Sequence, residues 1–484
     1  MNNPLKCPSF LYFVLMALLA PSKSFAAEGI ELVGYGARQK ALSGADIADS
    51  RDALAMSINP AGIVGLDPQF QFDFAGIFAD RGYEATGPLV LVAPGWVQSG
   101  EPAFPVPNGG FIKRIDAESA WGVVVFGNGG INTTYGFNDY KPTIYAPNVS
   151  LPTPPFPPPP GTIAAGPLLA PSFGGPFGDG PAGIDLRQDF VSLDYARKFG
   201  PVTIGVAPTV AVQIMNLKGL QTLYPYSWDP YHLSNNGYDW SFGGGLRLGL
   251  EYAILPNLRF GLAGATPMFM TPFGKYAGAI AGHGQMDVPA NINAGFAFDA
   301  APDLTLMGGW KHIFYRAVPA LGAPSFPLYF GQLGSFGGPG LGWRDTDLAS
   351  FGVEWRALKP LTLRVGYAYS TAMIGSQDVT LNILAPAITH HNLSGGFKYE
   401  IDKNQSIDFS TVYAVKNTLS GPEAQPYASF AYTLPFGAGT VPVTVPPILN
   451  PYTKITAWLS AVEISLSWTY KFDSASVAPS AANF

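Results

Sequence analysis

The sequence predicts an all-β chain: a fourteen-stranded antiparallel transmembrane β-barrel with a small amino-terminal plug inside its lumen. Three observations lead there. Charged residues make up only 12% of the 484 while aromatics reach 13%, and mean hydropathy is +0.17; soluble domains carry about twice that charge. No run of roughly 18 apolar residues follows the first two dozen positions, which excludes spanning helices. Apolar and polar residues instead alternate with period two over long stretches. A closed barrel meets lipid in that way, because all its backbone polar groups find partners between strands.

Residues 1–26 read as an export signal. Lys6 gives the positive flank, residues 10–20 an apolar core too short to span a bilayer, and Ser24, Phe25 and Ala26 a small-x-small cleavage site. The single cysteine, Cys7, lies within this segment, so a mature chain starting near Ala27 has no disulfide, no thiolate metal site and no thiol nucleophile. Removing Lys6 and Lys23 from the 27 basic residues leaves 25 against 33 acids, a net charge of about −8. That balance argues against nucleic acid as a partner.

Residues 27–66 form the expected plug. They are rich in small and charged residues and end in Asn59, Pro60, Ala61 and Gly62, just ahead of the expected barrel at 67–472. The first strand, 69–80, sets Phe70, Phe72 and Phe74 against Gln71, Asp73 and Ala75. In the last, Trp458, Val462, Ile464, Leu466, Trp468, Tyr470 and Phe472 share one parity and Glu463, Ser465, Ser467, Thr469 and Lys471 the other. Ten residues separate Trp458 from Trp468; at about 3.3 Å per residue and a tilt near 40° that is about 25 Å of height, so the pair is read as the two aromatic girdles.

Further strands are expected near 108–115, 120–132, 188–199, 202–217, 238–253, 258–270, 285–300, 304–318, 348–357, 361–373, 389–401 and 405–417. Short connections, rich in turn formers, fall at 116–119, 200–201, 255–257, 301–303, 358–360 and 402–404. Long ones fall at 82–107, 133–187, 218–237, 271–284, 319–347, 374–388 and 418–454. Short turns belong in the periplasm and long loops outside. The loop at 133–187 contains the proline run 151–160, which favours polyproline II and reads as a stiff exposed loop. A carboxy-terminal extension, 473–484, follows Phe472.

Catalytic residues, cofactors and metals are not expected. His232 and His283 fall in outer loops, His312 on a strand, and His390 and His391 at a strand's outer end, none in a metal spacing, and no GxSxG occurs. The inward parity collects Asp73, Arg247, Glu251, Arg259, Glu354, Arg356, Arg364, Lys398, Glu400, Glu463 and Lys471. These should pair with one another and with Arg38, Asp46, Asp49, Arg51 and Asp52 of the plug. Gly127, Gly129 and Gly130, around Asn128, mark either a bulge in the third strand or that strand's end. Leu220, Leu223 and Tyr224 in one outer loop, with Phe269 and Phe273 around another, fit either capture of a hydrophobic ligand or contact with outer-membrane lipid.

The plug carries a further signal. Gly44, Ala45, Ala48 and Asp49, followed by Asn59-Pro60-Ala61-Gly62, resemble the amino-terminal signature of the FadL/TodX family of outer-membrane transporters for long-chain fatty acids and other hydrophobic compounds. Weaker support comes from Val288-Pro289-Ala290 leading into 295–298, from the run HHNLSGG at 390–396, and from Trp468 to Phe472.

The resemblance implies a Gram-negative-type outer-membrane barrel whose plug is a hatch. Ligand would be captured at outer loops and held near the hatch, then released sideways where the third strand kinks. On that basis Gly127, Asn128, Gly129 and Gly130 become the expected opening, and Leu220, Leu223, Tyr224, Phe269 and Phe273 the capture surface. Long-chain fatty acids are the first expected ligands and aromatic hydrocarbons the second. A carboxylate would want a lumen cation near the hatch, for which Arg247, Arg259 and Lys311 are candidates. The long proline-rich loop and the tail beyond Phe472 depart from the family pattern, in which the chain usually stops at a terminal aromatic; either Phe472 or Phe484 would then be the signal read by barrel assembly machinery. The rival of another class, an outer-membrane lipid hydrolase, requires a serine, a histidine and an acid converging at the rim.

Overall fold

Among the described residues of the computed structural model, fourteen strands hydrogen-bond in chain order. They are β1 (Gln69–Thr86), β2 (Ala103–Arg114), β3 (Ser119–Tyr135), β4 (Ala182–Phe199), β5 (Val202–Lys218), β6 (Asp239–Leu255) and β7 (Leu258–Ala265). The ring continues with β8 (Asn291–Ala301), β9 (Leu304–Ile313), β10 (Thr346–Leu358), β11 (Leu361–Ser370), β12 (His391–Glu400), β13 (Gln405–Ala424) and β14 (Leu449–Lys471). β14 pairs antiparallel with β1 from Gln69↔Lys471 to Thr86↔Lys454, closing the barrel and leaving it no free edge. The structure describes residues 29–87, 89, 91–100, 103–136, 174–325, 332–424, 432–436, 439–443 and 449–472. The expected export signal, the proline run 151–160 and the tail 473–484 lie outside them.

Several strand ends differ from expectation. The strand expected at 258–270 stops at Ala265 ahead of Pro267, which has no N–H to donate, and Phe269–Met270 pairs separately with β6. β8 begins only after Pro289, and the expected end of β9 folds into helical turns at Tyr315–Ala317 and Pro319–Gly322. β13 and β14 both run further outward than their sequence patterns indicate, to Ala424 and from Leu449.

The alternation sorts side chains as a membrane barrel requires. Phe74, Phe78, Val210, Leu248, Phe296, Val365 and Leu466 are exposed around the outside, while Asp73, Ser192, Glu354, Arg364, Ser465 and Ser467 are buried within. In water such a continuous apolar belt would drive association; in a bilayer it is the solvated surface. No described helix is long and apolar enough to cross a membrane. Trp468 lies on the outer face beside Phe70 and Tyr470, as a girdle residue should. Trp458 is itself covered: Trp96, on a short strand (Gly95–Gln98) added to the end of β1, stacks on it at 5.2 Å and carries the exposed face instead.

The described part of the plug, residues 29–66, is buried almost throughout and lies inside the barrel. It contains one helix, α1 (Ala37–Ala41), and two 3-10 turns, Ala53–Ser57 and Pro60–Ile63. The Asn-Pro-Ala-Gly run has a local explanation. Asn59 caps the second turn by accepting from the Ala61 N–H, and Pro60 takes the first position, where no N–H is needed. The Asn59 amide also donates to the carbonyls of Ile47 in the plug and Leu250 in β6, so one side chain caps the turn and ties it to the wall.

Candidate ligand-binding site

The plug is fixed to the wall by charge. Arg38 on α1 meets Asp46 at 2.9 Å, Asp49 at 2.7 Å and Glu354 of β10 at 3.0 Å. Glu354 is shared with Arg51 of the plug at 3.1 Å and with Arg364 of β11 at 2.8 Å, and Arg364 continues to Asp408 of β13. Lys40 meets Glu463 at 2.8 Å and Asp73 at 3.5 Å, and Asp73 also accepts from the Ala37 N–H and from Ser465 and Ser467. A buried ion without a partner costs several kcal/mol, roughly, so each member of this network holds the others in place. Arg356 and Glu400, expected inside, are instead exposed, Arg356 donating to the Pro302 carbonyl in a short turn.

Beside the network lies a cavity at the inner face of the plug. Leu32, Val33 and Ile58 of the plug, Phe126 of β3, Phe190 of β4, and Met268 and Val288 of an outer loop supply apolar wall. Its polar lining includes Glu31, Asn128, Asn291, Arg247 and Lys311.

Strand β3 is bulged at this cavity. Its register with β4 slips between Gly127 and Gly129, leaving Asn128 as the extra residue. The Asn128 carbonyl accepts from the Leu32 N–H at 3.1 Å, its side-chain oxygen accepts from the Tyr35 hydroxyl at 3.0 Å, and its amide donates to Gln188 at 2.9 Å. Gly129 has φ +149°, and a Cβ there would overlap the Ile30 carbonyl, so glycine is required both by the backbone and by the plug lying against it. Gly130 continues the strand opposite Arg187.

The three candidate cations separate. Arg247 lines the cavity with its guanidinium 5.2 Å from the centre of the Phe126 ring, and donates to the carbonyls of Met56 and Ser57. Lys311 lines it too, bound to the buried Glu31 at 2.6 Å. Arg259 is not among the lining residues and spans Asp49 at 2.9 Å and Asp299 at 2.6 Å.

The expected capture residues also divide. Leu220, Leu223 and Phe273 are buried in one apolar cluster with Met268 and Val288 of the cavity wall, and Tyr224 packs against it. Phe269 turns the other way and is 66% exposed, because the two-residue strand it occupies points alternate side chains in and out. Sequence reasoning missed Tyr315, whose hydroxyl accepts from the Ile30 N–H at 3.2 Å and so links an outer loop to the plug's first residues. Leu32 and Val33 were missed as well; their one signal was an apolar pair in an otherwise small and charged segment.

Outer-loop residues roof this cluster. Trp343, buried, donates to Asn382 at 2.8 Å, and Asp378 accepts from the amide and hydroxyl of Ser325. Burial pushes the Asp378 carboxyl up from its ordinary value, against the Ser325 hydrogen bonds. The folded roof therefore holds this proton more tightly than the unfolded chain does. Its stabilising contribution is complete below about pH 4 and is lost as pH rises through the raised value. Asp378→Asn should remove that slope, making the roof more protease-resistant than the parent at pH 8 and no different below about pH 4. Equal cleavage rates at pH 8 would contradict it.

The histidines serve local contacts: His232 meets Asp229, His312 meets Asp347, and His391 accepts from or donates to Tyr367. Among the described residues no group of three or more histidines and acids could hold a metal ion.

A closed barrel with a lipid-type exterior, an ion-locked internal plug and an apolar cavity against a bulged strand defines the class: a plugged transmembrane β-barrel. No family model matches the sequence, and no curated protein sequence matches it. Solved structures do match. The Pseudomonas putida toluene transporter TodX aligns with TM-score 0.59 at 16% identity over 92% of this chain and 100% of that one. A Pseudomonas aeruginosa FadL homologue aligns with TM-score 0.61 at 12% identity, covering 92% and 100%. The Ralstonia pickettii toluene transporter TbuX gives 0.54 at 17%, covering 91% and 98%. The chain has the fold these proteins share, as the resemblance in the plug implied.

Proposed function

We propose that the chain is a FadL-type passive channel that carries hydrophobic small molecules across an outer membrane. The observation that carries this reading is the cavity whose apolar wall runs from the outer-loop residues Met268 and Val288 to the bulge at Asn128. Ligand enters through the roof over Leu220, Leu223 and Phe273, rests against Phe126 and Phe190, and leaves sideways at Gly127 to Gly130. Each buried methylene is worth about 0.8 kcal/mol, so release into periplasmic water is unfavourable whereas release into the bilayer is not. Flow down the gradient needs no energy source.

Neutral, ring-sized hydrocarbons suit this cavity better than the long-chain fatty acids expected from the sequence. Both cations that face it are committed, Lys311 to Glu31 and Arg247 to the plug's carbonyls. A carboxylate that took Lys311 would leave Glu31 buried without a cation, with only the Asn291 amide donating to it, which is costly. The test compares toluene and oleate uptake by cells with this barrel as their sole such channel. Toluene uptake is expected to dominate and to stay within about twofold in a Glu31→Gln, Lys311→Met double variant, since a neutral ligand uses neither charge. Oleate uptake equal to that of toluene, and lost in the double variant, would reverse the assignment.

A further inference from the structure

A second, smaller cavity lies on the other side of Leu32 and Val33, against β1, β12, β13 and β14. Ile77, Val412 and Leu459 supply apolar wall from the barrel, and Leu32 and Val33 from the plug. Leu32 and Val33 line the first cavity as well, so a partition two residues long separates the two spaces.

Asn392 lines this second cavity. It is fully buried, yet neither its amide nitrogen nor its carbonyl oxygen has a hydrogen-bond partner. Its charged neighbours on the inner wall differ: Asp408 is held by Arg364 and Glu463 by Lys40. Buried polar groups are almost always satisfied, so an amide left with both functions open, facing a cavity, marks a place where something else supplies the partner. Asn392 is the third residue of the HHNLSGG run, to which the cavity described above assigns no role.

We infer that this chamber is a second binding site, for a neutral small molecule bearing a hydroxyl group, such as a phenol. A hydroxyl both donates and accepts, which matches the two open functions of one primary amide. The sole acid among the lining residues is Glu463, whose partner is Lys40 of the plug, and no lysine or arginine lines the chamber. An anionic ligand would face that carboxylate without a cation of its own, and a cationic one would lie among Ile77, Val412 and Leu459 in a space that cannot hydrate it. A ring against those side chains with its hydroxyl on Asn392 satisfies both requirements.

The inference rests on the lumen being a hydrophobic-ligand passage, and the two fail separately. The experiment measures binding of phenol and of toluene to the purified full-length barrel in detergent, with heat-modifiable gel mobility reporting that each variant is folded. Asn392→Leu is expected to weaken phenol binding at least about tenfold, because the hydroxyl loses both partners, and to leave toluene within about twofold. Val412→Phe, which fills the chamber and keeps the amide, is expected to weaken phenol by at least as much. Unchanged phenol affinity in either folded variant would overturn the second site, including the case in which Asn392 binds only water. Absence of toluene binding to the parent protein would instead count against the passage itself.

Discussion

Arg38→Ala is expected to free the plug from the wall. Arg38 reaches three buried carboxylates, Asp46, Asp49 and Glu354, and the alanine leaves Asp46 without a cationic partner among the described residues and Glu354 dependent on Arg51 and Arg364. Removing one partner from a buried ion network costs about 3–5 kcal/mol. The strands do not need Arg38 for their ladders, so the barrel itself should still assemble. The expected result is a lower heat-modifiability midpoint together with raised sensitivity of the cells to polar antibiotics normally kept outside. Arg38→Lys should recover part of the loss, because a single ammonium cannot span three carboxylates as a guanidinium does. A variant with parental midpoint and parental sensitivity would mean that the network does not hold the plug.

Gly129→Val should abolish transport by a different route. The valine would have to adopt φ near +149° and place its Cβ on the Ile30 carbonyl, so either the bulge straightens or the plug's first residues are displaced. Both outcomes alter the opening proposed at Asn128, and toluene uptake should fall at least about tenfold while the barrel still reaches the membrane. Gly65, with open space around its Cβ position, is the matched control: Gly65→Ala should leave uptake unchanged. Full uptake in Gly129→Val would remove the bulge from the transport route.

The barrel was legible because its code is local and repeated. Period-two alternation in 69–80 and in the last strand, and the alternation of short and long connections, each report strand number independently of any tertiary contact. What tertiary contact decides was not legible. Phe269 looked like a capture residue by composition and faces outward, because Pro267 breaks the strand and resets its parity. Trp458 had the right parity for a girdle but is covered by Trp96, from a segment whose sequence gives no strand signal of comparable strength. Arg247, Arg259 and Lys311 were indistinguishable as lumen cations; only the position of the plug decides that the first and last face a cavity while Arg259 bridges Asp49 and Asp299. Asn392 was within reach, as a polar residue on the inward parity of β12, but its lack of a partner is a fact about space.

The plug is anchored unevenly, and this bears on how the cell's permeability barrier survives transport. Residues 37–52 are bound through Arg38, Lys40 and Arg51 to carboxylates on two separate strands of the ring, Glu354 of β10 and Glu463 of β14. Residues 30–35 are held mainly by neutral hydrogen bonds, to Tyr315 and Asn128, with the single ion pair of Glu31 and Lys311. On the proposed passage, a hydrophobic ligand would disturb only the weaker part to move between the chambers or out through the wall. With the ionic part still seated, the proposed passage would keep water, salts and polar solutes from an open bore.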